Sequence, residues 1–192
     1  MLELTNISHR FDRQWVLKNL DLTLRPGQRL AVMGPSGRGK TTLLRIALGL
    51  TVPTAGRVTN TFSSVGAVFQ EPRLLPWRTA LENVNLVLGD GKRTLAQAEQ
   101  LLALVGLSEA ANKLPRELSG GMQQRVALAR ALAPKADCLI LDEPFKAMDD
   151  ALRRRIIALV NKTDAAILLV THDEEEAALL GCQILPLSSA EY

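Results

Sequence analysis

Apolar and polar residues alternate with period two over residues 2–8 and again over 15–24, most clearly in Leu20-Asp21-Leu22-Thr23-Leu24. Such alternation predicts two half-buried strands, joined by a turn at Phe11-Asp12-Arg13-Gln14. Arg25-Pro26-Gly27 marks a second turn, which leads into the mostly apolar run 28–33, a third strand. Helical spacing follows over residues 42–50, and two short β-like runs, 56–59 and 65–69, flank a polar Ser/Thr/Asn stretch. From 79 to 133 every apolar series has helical spacing: Leu81/Val84/Leu88, then Leu95/Ala98/Leu101/Leu102/Val105, then Val126/Ala127/Ala131, with Gly106 and Pro115 as breaks. After Pro134 strands and helices alternate again, with strands at 138–141 and 166–171, helices at 150–161 and 174–180, and Ile184-Leu185 near the end. The pattern predicts one domain, an α/β core formed by residues 1–77 and 134–192, with a helical subdomain inserted at 78–133.

Composition supports a packed domain, since 47% of the 192 residues are hydrophobic. The net charge of +3 is mild, and Lys and Arg are scattered without forming a stripe, so no nucleic acid partner is expected. Cys138 and Cys182 lie in apolar segments and suit reduced thiols better than a disulfide framework. His9 and His172 have no zinc-ligand spacing with them. The first residues lack the basic and apolar regions of a secretory signal, and no apolar run is long enough to cross a bilayer, so a cytosolic chain is expected. One loop stands out: Gln70-Glu71-Pro72-Arg73-Leu74-Leu75-Pro76-Trp77 carries exposed-looking leucines and a tryptophan, as a docking surface does.

Chemistry enters with Gly34-Pro35-Ser36-Gly37-Arg38-Gly39-Lys40-Thr41, a full match to G-x-x-x-x-G-K-[ST], with Thr42 next to it. Glycines let successive N–H groups turn toward an anion, and the helix that follows presents its positive end to phosphates. Lys40 then reaches the β- and γ-phosphates, and the Thr41 hydroxyl is placed for Mg²⁺. Ser119-Gly120-Gly121 opens a further helix and forms a second anion-ready start. Asp142-Glu143 ends an apolar strand, where the first carboxylate suits a metal and the second suits an attacking water.

In this order, the stretches resemble the ATP-binding cassette (ABC) ATPases over nearly the whole chain. The implied fold is a P-loop NTPase core, a mixed sheet with helices and a small antiparallel part, carrying the inserted helical subdomain. Residues 118–125 look like the family's signature sequence, 138–143 like its Walker B strand, Gln70 like its Q-loop glutamine, Asp149 like its D-loop aspartate and His172 like its switch histidine. The resemblance implies a head-to-tail homodimer, with ATP held between one protomer's phosphate loop and the other's signature helix. Phe11 would stack on adenine; Thr41, Gln70 and Asp142 would serve Mg²⁺; Glu143 would be the general base, with Gln70 and His172 assisting. Ser119 and Gly121 would bind the γ-phosphate from across the seam, His172 would contact it from the same side, and Gly120 and Asp149 would also serve the nucleotide.

Residues 70–77 with Leu81-Glu82-Asn83-Val84 look most like importer subunits of the nitrate, sulfonate and taurine group. That implies a peripheral protein on the cytoplasmic side of the cell membrane, docked through residues 70–88 to integral permease subunits and served indirectly by a solute-binding protein. Lys146-Ala147-Met148 departs from the family's small residues before the D-loop, which puts a long cation near the seam; the segment 59–64 and the helix after Asp149 are short. The alternatives are a soluble ABC module acting on nucleic acid or ribosomes, and a degenerate nucleotide-binding scaffold.

Overall fold

Strand alternation decides the layering. A computed structural model describes residues 1–146 and 148–187. Strands β5 (Val65–Val68), β6 (Cys138–Asp142), β7 (Ala166–Val170), β3 (Arg29–Met33) and β8 (Gln183–Pro186) form a parallel sheet in the order β5-β6-β7-β3-β8. Every residue of β6 and β7 is buried, as befits central strands covered on both faces. Their side chains divide by parity: Leu139, Leu141, Ile167 and Leu169 enter one core, while Cys138, Ile140, Ala166, Leu168 and Val170 enter the other.

The second core is closed by α1 (Lys40–Ala47) and by a separate antiparallel sheet. That sheet has the order β2-β1-β4, from β1 (Leu2–Phe11), β2 (Gln14–Leu24) and β4 (Ala55–Asn60). The expected mixture of strand directions is thus realised as two sheets packed on opposite sides of shared apolar side chains. The first core is closed by the helical segment, α2 (Ala80–Asn85), α3 (Leu95–Leu104) and α4 (Gly120–Leu132), and by α5 (Asp150–Val160) and α6 (Glu174–Leu179).

Three expectations shift. Phe11 is the last residue of β1 and pairs with Gln14, so the turn is only Asp12-Arg13, made possible by left-handed backbone at Asp12 (φ 51°). The helix after the phosphate loop starts at Lys40 instead of residue 42, because its first turn is polar and lies before the apolar periodicity begins. In the loop 70–77, Leu74 packs on the core and Leu75 is half-buried, which leaves Trp77, 72% exposed, as its open apolar group. Both cysteines are free; burial pushes the Cys138 thiol up to about 12 and Cys182 up to about 11, so both are protonated and inert at neutral pH.

The helical segment is locked to the core through a glycine. A Cβ at Gly66 of β5 would lie 2.3 Å from the Ala131 carbonyl oxygen of α4 and 2.9 Å from Leu139 Cδ2. Gly66→Ala is expected to destabilise the fold by about 1–3 kcal/mol through overpacking, read as a lower urea midpoint. An unchanged midpoint would contradict so close an approach of strand and helix.

Candidate functional site

The phosphate loop runs from the end of β3 to the start of α1. Gly39 caps α1 in left-handed conformation (φ 82°), and a Cβ there would meet the Val16 carbonyl oxygen at 2.7 Å, so both backbone and packing require glycine. The cap supplies no side-chain hydrogen bond, which leaves the first-turn amides to an anion. Lys40 folds back over the loop, where its Nζ donates to the carbonyls of Gly34 (2.6 Å) and Pro35 (2.8 Å).

Beside it, β6 delivers two acids. Asp142 is 1% exposed, and Thr41 Oγ1 donates to its Oδ2 at 2.8 Å. Burial raises the Asp142 carboxyl above its ordinary value, with nearby Glu143 adding to the rise and the Thr41 hydrogen bond opposing it. A buried carboxylate next to a hydroxyl is a hard oxygen pair suited to Mg²⁺, which takes few protein ligands and completes its shell with water and phosphate oxygens. Among the described residues no group of three or more His, Cys, Asp or Glu forms an all-protein metal cage.

Glu143 turns the chain sharply out of the strand. Its backbone is left-handed (φ 49°) and its N–H donates to Val170 O at 2.9 Å, which aims the carboxylate at the cleft. His172 Nδ1 lies 2.9 Å from both Glu143 oxygens. That hydrogen bond, with the charge of Glu143, holds the exposed imidazole above its usual value.

Behind His172 the loop is braced. Thr171 Oγ1, fully buried, donates to Glu176 Oε2 at 2.6 Å and accepts from the Asp173 N–H at 3.1 Å. Arg153 of α5 pairs with Asp173 at 2.8 Å, Asp150 at 2.9 Å and Glu175 at 3.2 Å; Arg154 also reaches Glu175. The elements that follow Asp149 and His172 are therefore tied to each other.

Phe11, Gly34 to Gly37, Gly39, Lys40, Thr41, Thr42, Gln70, Asp142, Glu143 and His172 all line one cleft of about 750 Å³. Arg38 is half-buried and is not on that wall. Gly120 and Gly121 line a neighbouring groove of about 510 Å³ instead. Ser119 is exposed and caps α4, accepting from the Met122 N–H at 3.3 Å, and Asp149 caps α5, accepting from the Leu152 N–H at 2.9 Å. Val16, Val170 and Lys146 also line the cleft, although no motif marks them as site residues. The hairpin pairing that brings Val16 near Phe11 is the available signal for the first, and the charge of Lys146 just after Asp142-Glu143 for the last. Ala147 lies outside the described residues.

The family model described as ABC transporter matches residues 17–146. The aliphatic sulfonates import ATP-binding protein SsuB 1 of Rhodococcus jostii (strain RHA1) is 45% identical over 97% of this chain and 79% of its own. The protein of the same name from Pseudomonas fluorescens is 47% identical over 99% of this chain and 74% of its own. Among solved structures, the ATP-binding cassette MJ0796, a dimer in a post-hydrolysis state bound to ADP and Pi, superposes with a TM-score of 0.87 at 32% identity, covering 97% of this chain and 94% of that one. The chain belongs to the ABC transporter family and is an ATP-binding cassette ATPase.

Two consequences of the electrostatics are measurable. With its folded value raised, the His172–Glu143 pair contributes stability fully below the ordinary histidine value and loses it as pH rises through the folded one. An NMR titration of the ring should show a midpoint above 6.5 that falls back in Glu143→Gln; an unmoved midpoint would refute the contact. For Asp142 the slope has the same sign, since its folded value is also raised: stability is lost as pH rises through the carboxylate range, and the ionised carboxylate costs stability at neutral pH. Asp142→Asn should therefore melt higher than the parent without nucleotide, by ~1 kcal/mol in stability, in a thermal scan at pH 7. A lower melting temperature would mean that Asp142 is not strained by burial.

Proposed function

We propose that the chain is the ATP-hydrolysing subunit of a membrane importer and that two copies close head to tail over ATP. One observation carries this reading: Lys40, Thr41, Asp142, Glu143 and His172 converge on one cleft, while Ser119, the exposed cap of α4, does not line it. A second copy is the natural source of the missing donors. In that arrangement Phe11 stacks on adenine, the amides of the phosphate loop and Lys40 hold the phosphates, and Ser119, Gly120, Gly121 and Asp149 act from the partner's side.

Thr41, Asp142 and Gln70 are the residues that would hold Mg²⁺, which supplies charge neutralisation at the phosphate oxygens when bound. Glu143 takes the proton of the attacking water. His172 orients Glu143 and turns to the terminal phosphate when it arrives. Phosphoryl transfer asks mainly for such positioning and neutralisation.

Coupling runs through the loop after β5, which joins the core, 1–77 and 134–192, to the helical subdomain, 78–133. The loop is pinned from the helical side: Gln124 Nε2 donates to Phe69 O at 3.1 Å, Arg130 donates to Pro72 O and Arg73 O at 3.0 Å, and Asn83 Nδ2 donates to Leu75 O at 3.2 Å. A displacement of Gln70 in the cleft is thereby passed to α2 and α4. On the outside of this segment Trp77, Leu86 and Val87 are exposed, which suits an integral permease subunit docking over residues 70–88. Among the described residues no helix is long and apolar enough to cross a membrane, and a peripheral position on the cytoplasmic side follows from that docking.

The relatives' names point to an aliphatic sulfonate as cargo, and they favour transport over action on nucleic acid or ribosomes; the family resemblance adds a solute-binding protein as an indirect partner. Glu143→Gln is expected to keep ATP binding, accumulate a dimer on a sizing column and lower phosphate release by about 10²-fold or more. Turnover near the parental rate would remove Glu143 from the role of base.

A further inference from the structure

Three residues line both the nucleotide-sized cleft and the groove that holds Gly120 and Gly121: Gln70, Glu143 and Lys146. Gln70 and Glu143 already have proposed tasks at the metal and the attacking water. Lys146 is the cation of the three and has none. Its position is fixed by a turn, because its backbone N–H donates to Glu143 O at 3.3 Å, and its side chain is exposed. Among the described residues no carboxylate lies within ion-pair distance of its ammonium. Glu143, which shares both walls with it, is otherwise engaged, since both its oxygens face His172. The remaining charged groups on these walls are Glu71 in the groove, and Lys40, Asp142 and His172 in the cleft.

At the junction of two cavities that share Glu143, this unpaired ammonium is free to meet an anion bound in the cleft. Lys40 lines only the cleft, as part of the phosphate loop, whereas Lys146 lines both the cleft and the groove. A triphosphate differs from a diphosphate by the group that reaches farthest from the loop, toward Glu143. Lysine is suited to this duty: a compact charge on a flexible stem that can follow a phosphate as the groove closes.

We propose that Lys146 is a further phosphate-binding residue, whose ammonium meets the terminal phosphate of ATP from the groove side and makes the site discriminate triphosphate from diphosphate. This rests on the ATP-site reading above. The test is a set of binding titrations with the Mg²⁺ complexes of the β,γ-imido analogue of ATP and of ADP, on the full chain and its Lys146→Met, Lys146→Arg and Lys40→Ala variants. Lys146→Met should lose about five- to tenfold in affinity for the triphosphate, the scale of one charge-assisted hydrogen bond, and less than about twofold for ADP. Lys146→Arg should recover most of the loss. In the parent the preference for triphosphate should shrink as salt rises, and in Lys146→Met it should shrink less, because only Lys40 then remains to be screened.

Equal effects on both nucleotides, or none on either, would overturn the proposal. The Lys40→Ala arm separates the two levels. If it binds both nucleotides as the parent does, the phosphate-loop reading itself fails; if it loses both while Lys146→Met matches the parent, only the role of Lys146 falls.

Discussion

The hydrogen bond from Thr41 to Asp142 is the constraint on which the site depends. It joins the first turn of α1 to the end of the central strand β6, two elements 101 positions apart in sequence. The carboxylate it serves is almost wholly buried, and one hydroxyl does not offset the loss of water around a charge. A cation does so far better. The strain stored at Asp142 is therefore of the kind that a metal–nucleotide complex relieves, which makes ligand binding and local stability the same event.

From that bond the geometry propagates outward. Strand β6 cannot shift without moving Glu143, whose left-handed backbone is tied to β7 through Val170. Strand β7 in turn ends in Thr171 and His172, and the braces from Thr171 to Glu176 and from Arg153 to Asp173 fix how far His172 can swing. Because Arg153 sits on the helix capped by Asp149, the same brace links the loop of His172 to the residue expected at the dimer seam. The phosphate loop, the two acids and the histidine thus behave as one unit carried by adjacent parallel strands, the place where open α/β sheets gather ligands.

How much of this is legible in the amino-acid sequence varies with the range of the interaction. The phosphate loop is legible in full, because its chemistry is local: glycines, a lysine and a hydroxyl in eight consecutive residues. Helical spacing from 79 to 133 likewise marks α2, α3 and α4 by pattern alone. The order β5-β6-β7-β3-β8 is not legible, since period-two alternation gives each strand a buried face but says nothing about its neighbour. Arg153 and Glu176 are invisible for the same reason: 23 positions separate them, and single charged residues on helices ordinarily face water. The start of α1 is misplaced by two residues because its opening turn is held by Gly39 and by polar contacts, to which apolar periodicity is blind.

What a single chain lacks is as informative as what it assembles. The start of α4 belongs to the helical segment, and that segment is fixed to the core by the approach of Gly66 to Ala131, the bond from Gln124 to Phe69 and the clasp of Arg130 on the loop. With these contacts in place, Ser119 does not line the cleft of its own chain. The Ser119 cap and the amides beside it are nevertheless oriented as anion donors, with only the Met122 N–H engaged by the side chain. In the proposed head-to-tail pairing, such a donor set would serve a phosphate held by another chain. In the proposed dimer, the helical attachment makes closure of two copies the step at which the site would be completed.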